Sequence, residues 1–329
     1  MKRLAILALS LLALAATTMS GHAQDKYPSK QIKIIVPYVP GGATDIVARI
    51  LAEQMGKSLG QSVIVENKPG AFGIIAIEDM VKSGADGYTL MIGNVSTNAI
   101  TPIIYPSKFK IDYAKDVVPI TNVVDIPAFL VATTKNFDVK SLSDLIAYAK
   151  KNPGQVRYGT VGPGSYPHYD MAYLAKRAGD LDMIAIPNKA GATGVINDML
   201  TGSTQVTFLN VASSTPQVKA GNLRPLAVVN HTRLPDFPDV ATMQELGFDG
   251  VGTIAWQGLF APAGVPKPVL QTIFDATVAA MREPAVVEAF KKQSFNTVPN
   301  KSLDDAKTWL AGEIARWQKI TSEVKIETE

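Results

Sequence analysis

The chain has 329 residues, 47% of them hydrophobic, with a formal charge of +3, three histidines and no cysteine. A chain of this length can bury more than one core, because single cores stop growing near roughly 250–300 residues, so two domains are expected. The absence of cysteine excludes disulfides and thiolate metal sites, and the low charge, with no basic stretch interleaved with aromatics, argues against nucleic acid as a partner.

Lys2 and Arg3 precede an almost wholly apolar run from Leu4 to Ala16, followed by Thr17, Thr18, Ser20 and Gly21. That order is the pattern of a secretory signal peptide. A small-x-small site at Gly21-His22-Ala23 makes residues 1–23 the leader and Gln24 the first mature residue. The run is shorter than the about 20 apolar residues of a membrane span, and no later stretch approaches that length. With no cysteine to acylate, the mature chain is expected to be free in the periplasm, without direct membrane insertion.

From Ile32 onward, short β-branched runs alternate with amphipathic stretches, which predicts an α/β fold of parallel strands and helical crossovers. Strands are expected at Ile32–Val36, Val63–Glu66 and Tyr88–Ile92, with helices at Asp45–Leu59 and Gly73–Val81. In the first helix Ile46, Val47, Ile50, Leu51, Met55 and Leu59 form one apolar stripe, and Gly60 stands where the helix should stop. A second block repeats the pattern. Its strands are expected at Phe129–Ala132, Val156–Gly159, Met183–Ile186 and Val206–Leu209, and its helices at Leu142–Lys151, Tyr166–Ala178 and Thr193–Leu200. Ser141 and Asp144 give the first of these helices a capping-box-like start. After Leu226–Val229 and a proline-rich stretch come one more strand, Ile254–Phe260, and three helical patterns, the last beginning at Ser302. Trp256, Trp309 and Trp317 read as core. Two similar blocks with helices left over predict two lobes, 24–125 plus 231–329 and 126–230, joined by two crossings near Val124–Pro127 and Val229–Arg233.

The chemistry concentrates in three glycine-bearing loops that lead from strands into helices: Val36–Asp45, Tyr158–Ser165 and Asn188–Thr193. Glycine lets backbone approach a ligand closely, and the free amides of a helix start, with the macrodipole behind them, bind anionic oxygen. None of the loops carries a phosphate-loop or dinucleotide fingerprint. Ligands of open α/β sheets sit beyond the carboxyl ends of the strands, so two facing lobes would aim the loops into one crevice suited to a carboxylate. The candidate ligand-binding residues are Tyr38, Gly41, Gly42, Ala43, Thr44 and Asp45 in the first lobe, with Ser96, Thr97 and Asn98. In the second lobe they are Thr160, Gly164, Ser165, His168, Asn188, Ala190, Gly191 and Thr193. Asp45 has a second reading as a cap of its own helix. Of the aromatics able to stack on a ring, Tyr38 beside the glycine turn is preferred, Tyr166 is a further candidate, and Phe72 and Trp256 read as core packing.

Catalytic chemistry has little to stand on. Once the leader is removed, His168 and His231 are the only histidines, so a His-ligated metal site or a Cys-His pair is hard to build. No cofactor and no catalytic residue are expected. A serine nucleophile at Ser165 served by His168 is the enzymatic alternative, but the Gly-x-Ser-x-Gly elbow is absent.

Several stretches together resemble the Bug receptors, the solute receptors of tripartite tricarboxylate transporters. They are Tyr27–Lys30, Val36–Asp45, Gly60–Ala71, Asp86–Leu90, Gly162–His168, Gly221–Val228, Pro238–Val240 and Ala261–Pro266, spread over the whole mature chain. The resemblance implies a type II periplasmic-binding-protein fold, with two doubly wound lobes closing on a di-, tricarboxylate or aromatic carboxylate, and docking to the transporter's membrane permease as a monomer. It also implies that Gly41, Gly42, Ala43, Thr44 and Asp45 grip carboxylate oxygens, opposed by the loops at Thr160–His168 and Lys189–Thr193. Where many members read Pro-Tyr-Lys-Gly, this chain reads Pro187-Asn188-Lys189-Ala190-Gly191, which removes a ligand-side tyrosine and leaves room, or a new amide donor, at Asn188. A ligand-sensing adaptor for a sensor kinase would use the same closure and is the alternative to transport.

Overall fold

A computed structural model describes residues 27–188 and 190–326, so the expected leader and Lys189 lie outside the described residues. The chain forms two mixed sheets. The first has the order β11-β4-β10-β3-β1-β2, drawn from β1 (Ile32–Val36), β2 (Val63–Asn67), β3 (Thr89–Asn94), β4 (Val117–Ile126), β10 (Ala255–Pro262) and β11 (Asn296–Thr297). The second has the order β7-β6-β8-β5-β9, from β5 (Ala128–Thr133), β6 (Val156–Thr160), β7 (Met183–Pro187), β8 (Val206–Asn210) and β9 (Leu223–Val229).

The expected all-parallel arrangement holds within each crossover block, where β1 pairs parallel with β2 and β3, and β6 with β7 and β8. It fails where the chain changes sheet: β10 runs antiparallel to β3 and β4, and β5 antiparallel to β8 and β9. A strand that arrives from the other sheet needs no crossover helix, so nothing forces it parallel. Pro127 alone separates β4 from β5, and the return runs from Val229 to Ala255.

Nine longer helices cover the sheets among the described residues: α1 (Ala43–Leu59), α2 (Ile74–Lys82), α3 (Leu142–Lys151), α4 (Tyr166–Arg177), α5 (Gly191–Thr201), α6 (Val211–Lys219), α7 (Lys267–Arg282), α8 (Pro284–Lys292) and α9 (Leu303–Glu323). The stripe of α1 packs as its spacing demands, with Val47, Leu51 and Met55 fully buried against Ile32, Ile34 and Val36. Gly60 stops the helix at φ 67°, its amide bonding back to the Gly56 carbonyl, in the left-handed conformation that glycine adopts at least cost. Trp317 of α9 is fully buried and meets Tyr169 of α4 edge-on at 5.9 Å, tying the terminal helix to the second block. No helix among the described residues is long and apolar enough to cross a membrane.

Two of the longer elements were not expected. β4 is buried on both faces and so lacks alternation, and it contains Pro119. The proline sits at a register shift against β10, where a missing N–H is tolerated. In α6 the sequence Val-Ala-Ser-Ser-Thr-Pro-Gln-Val-Lys has weak helix propensity and an internal Pro216, and the Ser214 and Thr215 hydroxyls donate back to the Asn210 and Val211 carbonyls at 3.0 and 2.7 Å.

Candidate functional site

The carboxyl ends of β1, β6, β7 and β8 feed α1, α4, α5 and α6, and the starts of these four helices open onto one cleft of about 650 Å³ reached from both sheets. Small-molecule sites span about 300–1,000 Å³. Gly42, Ser165, Ala190 and Asn210 are the four N-cap residues, and none caps its helix with a side-chain hydrogen bond. Serine caps occur at Ser141 of α3 and Ser302 of α9, whose starts lie away from the cleft. A start without a side-chain cap leaves its first amides to backbone or ligand partners and carries a partial positive charge from the aligned peptide dipoles; the Val211 and Gly191 N–H groups already bond to the Pro127 and Asn188 carbonyls at 2.9 and 3.3 Å, and Pro167 of α4 has no N–H. Among the described residues that line the cleft no side chain is charged; polar groups come from Tyr38, Thr44, Asn94, Tyr166, Thr193, Asn210, Ser213, Gln257 and Gln293.

The first glycine loop carries the tightest arrangement. Gly41 has φ 94°, which turns the chain out of β1, whereas Gly42 is ordinary extended backbone at φ −82° and ψ 170°. The first backbone bond of α1 runs from the Ile46 N–H to the Gly42 carbonyl at 3.0 Å, so the amides of Ala43 and Thr44 are free to face a ligand. The Thr44 hydroxyl donates to Gln257 Oε1 at 2.8 Å, joining the helix start to β10. Tyr38 lines the cleft with its hydroxyl fixed on Asn94 Oδ1 at 3.0 Å. Burial pushes that phenol up to about 12, so it stays neutral.

Gly41, Gly42, Ala43, Thr44, Tyr38, Ala190, Gly191 and Thr193 are brought together around the cleft, and Ser96, Gly164 and Ser165 line a second, adjoining pocket. The remaining expected side chains are engaged elsewhere. Asp45 is 3% exposed and accepts from the Gly41 N–H, from Arg49 and from Asn67, each at 2.9 Å. It braces the loop from behind. Burial raises its carboxyl, but Arg49 and these amide donors outweigh that and hold it at about 2. Thr97 and Asn98 are buried, Thr97 bonded to Asn94 and Asn98, and Asn98 to Tyr113. Thr160 is buried and its hydroxyl accepts from the Gly162 N–H at 3.3 Å. The Asn188 amide, expected as a new donor to ligand, donates instead to Asp198 at 2.7 Å while its oxygen accepts from the Ala190 N–H. His168 packs against Tyr158 with Nδ1 buried and unpartnered, and burial holds its pKa down at about 4. The Ser165 hydroxyl donates to the Gly162 carbonyl at 2.7 Å, so the nucleophile pair the enzymatic alternative needs is not assembled. Trp256 is core, 2% exposed with its indole N–H on Glu313.

Phe72 departs from the core reading: it is 44% exposed and walls the adjoining pocket, about 310 Å³, with Tyr105 and Val161. Asn94 and Asn210 were also missed, although each is the last residue of a strand, where the strand-end rule points. Gln257 lies in an antiparallel strand and Gln293 at a helix end, positions that carry no such signal.

Residues 47–326 match the family described as tripartite tricarboxylate transporter family receptor. Protein BugT of Bordetella pertussis is 34% identical over 299 residues, 91% of this chain and 90% of its own. Among solved structures, Rhodopseudomonas palustris Rpa4515 with adipate is 30% identical with a TM-score of 0.80, covering 91% of this chain and 99% of its own. The periplasmic binding protein BugD is 28% identical with a TM-score of 0.76, covering 92% and 100%. The two-sheet architecture is therefore the periplasmic-binding-protein fold.

Proposed function

The chain belongs to the tripartite tricarboxylate transporter receptor family, whose members are periplasmic solute receptors rather than enzymes, and from that premise we propose that it captures a small organic carboxylate and delivers it to a membrane permease. One observation carries this reading: four uncapped helix starts open onto a single cleft whose described lining has no charged side chain. Such a site attracts anions through oriented amides and dipoles, and with no lysine or arginine among the described lining, selectivity comes from directed hydrogen bonds. The adipate bound to Rpa4515 supports the same ligand class.

In this reading the first lobe is 24–125 plus 231–329 and the second 126–230, hinged at the two places where the chain changes sheet. The lobe-one contacts are Tyr38 and Gly41 through Thr44; the lobe-two contacts are Ala190, Gly191 and Thr193, with Gly164 and Ser165 beside the adjoining pocket. Asp45, Thr97, Thr160 and Asn188 hold these loops rather than the ligand. The mature receptor, cut near Ala23, acts in the periplasm as a monomer that docks on the permease.

A thermal-shift screen of the mature protein against mono-, di- and tricarboxylates tests the reading, because a ligand that binds only the folded state adds stability as RT ln(1 + [L]/Kd). A saturable upward shift with at least one acid is expected. No shift with any acid, at concentrations up to tens of millimolar, would overturn it.

A further inference from the structure

The pocket beside the cleft shares Tyr38 and Val39 with it, so the two form one continuous space, but their linings differ in character. The main cleft is ringed by amides and hydroxyls, whereas the adjoining pocket is walled by Phe72, Tyr105, Ile104, Val161 and three prolines. Phe72 stands in an unusual backbone. Gly70, Ala71, Phe72 and Gly73 have φ of 123°, 46°, 55° and 88°, a run of four residues on the left-handed side. Glycine adopts such angles freely, but for a bulky side chain they are an outlier that the surroundings must enforce. Here the Gly73 N–H closes the turn on the Gly70 carbonyl at 2.9 Å, and the Thr101 hydroxyl holds the Phe72 carbonyl at 3.1 Å.

The enforced turn does not serve core burial. It sets the Phe72 ring on Tyr105, centroids 4.7 Å apart and planes at 27°, and leaves the residue 44% exposed in the pocket wall. A strained aromatic exposed in the wall of a pocket continuous with the cleft, with a stacking partner already behind it, offers a face to a flat apolar group. Resting on the carboxylate-receptor reading above, we infer that the cargo is an aromatic carboxylate whose carboxylate sits on the helix starts of the main cleft and whose ring stacks on Phe72. Phe72 is then the residue that selects an aromatic over an aliphatic acid. The missing tyrosine at Asn188 fits this assignment, since the aromatic contact comes from the first lobe.

The test titrates benzoate, phenylacetate and 3-phenylpropanoate against their cyclohexyl counterparts and against adipate, by calorimetry, on wild type, Phe72→Leu and Phe72→Gly. An aromatic pair contributes beyond its buried area by an amount worth about two- to tenfold in Kd. Wild type is expected to prefer a phenyl acid over its cyclohexyl partner by that factor. Phe72→Leu, which keeps apolar bulk, should erase the preference. Phe72→Gly should weaken the phenyl acid about tenfold or more and leave adipate within about twofold, with an unliganded melting temperature at or above wild type because the left-handed turn is relaxed. Tighter binding of adipate than of every phenyl acid, or an unchanged phenyl preference in Phe72→Leu, would overturn the inference and leave the carboxylate reading intact. Absence of binding by all of these acids would overturn both.

Discussion

Replacing Gly42 by valine separates the proposed carboxylate cradle from the fold. Gly42 lies at φ −82° and ψ 170°, extended backbone that valine adopts readily, and a Cβ built there meets nothing within 4 Å. The new side chain therefore enters open space at the start of α1 and covers the amides of Ala43 and Thr44 without disturbing a neighbour. Hydrogen bonds to a charged partner contribute about 1.5–3 kcal/mol each, so obstructing two removes on the order of 3 kcal/mol, a rise in Kd of about a hundredfold. At a ligand concentration 100 times the wild-type Kd, binding adds about 2.7 kcal/mol of stability to wild type and about 0.4 kcal/mol to the variant. With about 2 °C per kcal/mol for a chain of this size, a thermal shift near 5 °C should shrink to about 1 °C, while the unliganded melting temperature stays within about 1 °C. A full shift in the variant would move the carboxylate away from α1. A large fall in the unliganded melting temperature would refute the claim that the position is open.

Asp45, held at about 2 by Arg49, Gly41 and Asn67 against the opposing effect of burial, contributes stability that is complete above its unfolded pKa near 4 and is lost as pH falls toward about 2; Asp45→Asn should flatten that acid limb of the melting curve and weaken ligand binding by loosening the loop. His168 and Asp170 lie two residues apart on α4, and burial shifts them in opposite senses, His168 down to about 4 and Asp170 up to about 7. Between pH 4 and 6.5 the native state refuses a proton at His168 that the unfolded chain takes up, so this term makes stability rise with pH; at Asp170 the native state keeps a proton that the unfolded chain releases, so that term makes it fall. Asp170→Asn should therefore steepen the rise of melting temperature with pH and His168→Phe should reverse or flatten it, and slopes of the opposite order would contradict the assignment. A Cβ at Gly194 would come within 2.1 Å of Asn188 Oδ1, so Gly194→Ala should displace the Asn188 bridge between Asp198 and the Ala190 amide, weakening ligand binding severalfold in calorimetry while the far-ultraviolet circular dichroism stays native.

Much of the frame was legible because it rests on local rules. Leu142–Lys151 forms the expected helix with the Ser141 cap in place, and the Ile46–Leu59 stripe and Gly60 stop behave as their spacing dictates. The strand-to-helix turns at the glycine loops were legible for the same reason, since Gly41 takes the positive φ that such a turn needs. What stayed hidden depends on tertiary partners. Nothing local in Thr97, Asn98, Thr160 or Asn188 says whether a polar side chain turns outward to a ligand or inward to brace a loop, since both uses need the same hydroxyls and amides. Gln257 reaches Thr44 across 213 positions of chain, from an antiparallel strand that no crossover pattern announces. Phe72 was hidden more deeply, because an aromatic within a glycine-rich turn reads as an anchor until its left-handed backbone is seen.

In the proposed site, oriented amides at helix starts hold an anionic carboxylate without a lysine or arginine among the described lining. The most direct measurement compares, by isothermal titration calorimetry on the mature protein, the best-bound acid with its uncharged primary amide of nearly equal shape. Affinity for the amide should be at least about a hundredfold weaker, since neutral hydrogen bonds are roughly half as strong as charge-assisted ones and do not engage the helix dipoles. Equal affinities for acid and amide would contradict it.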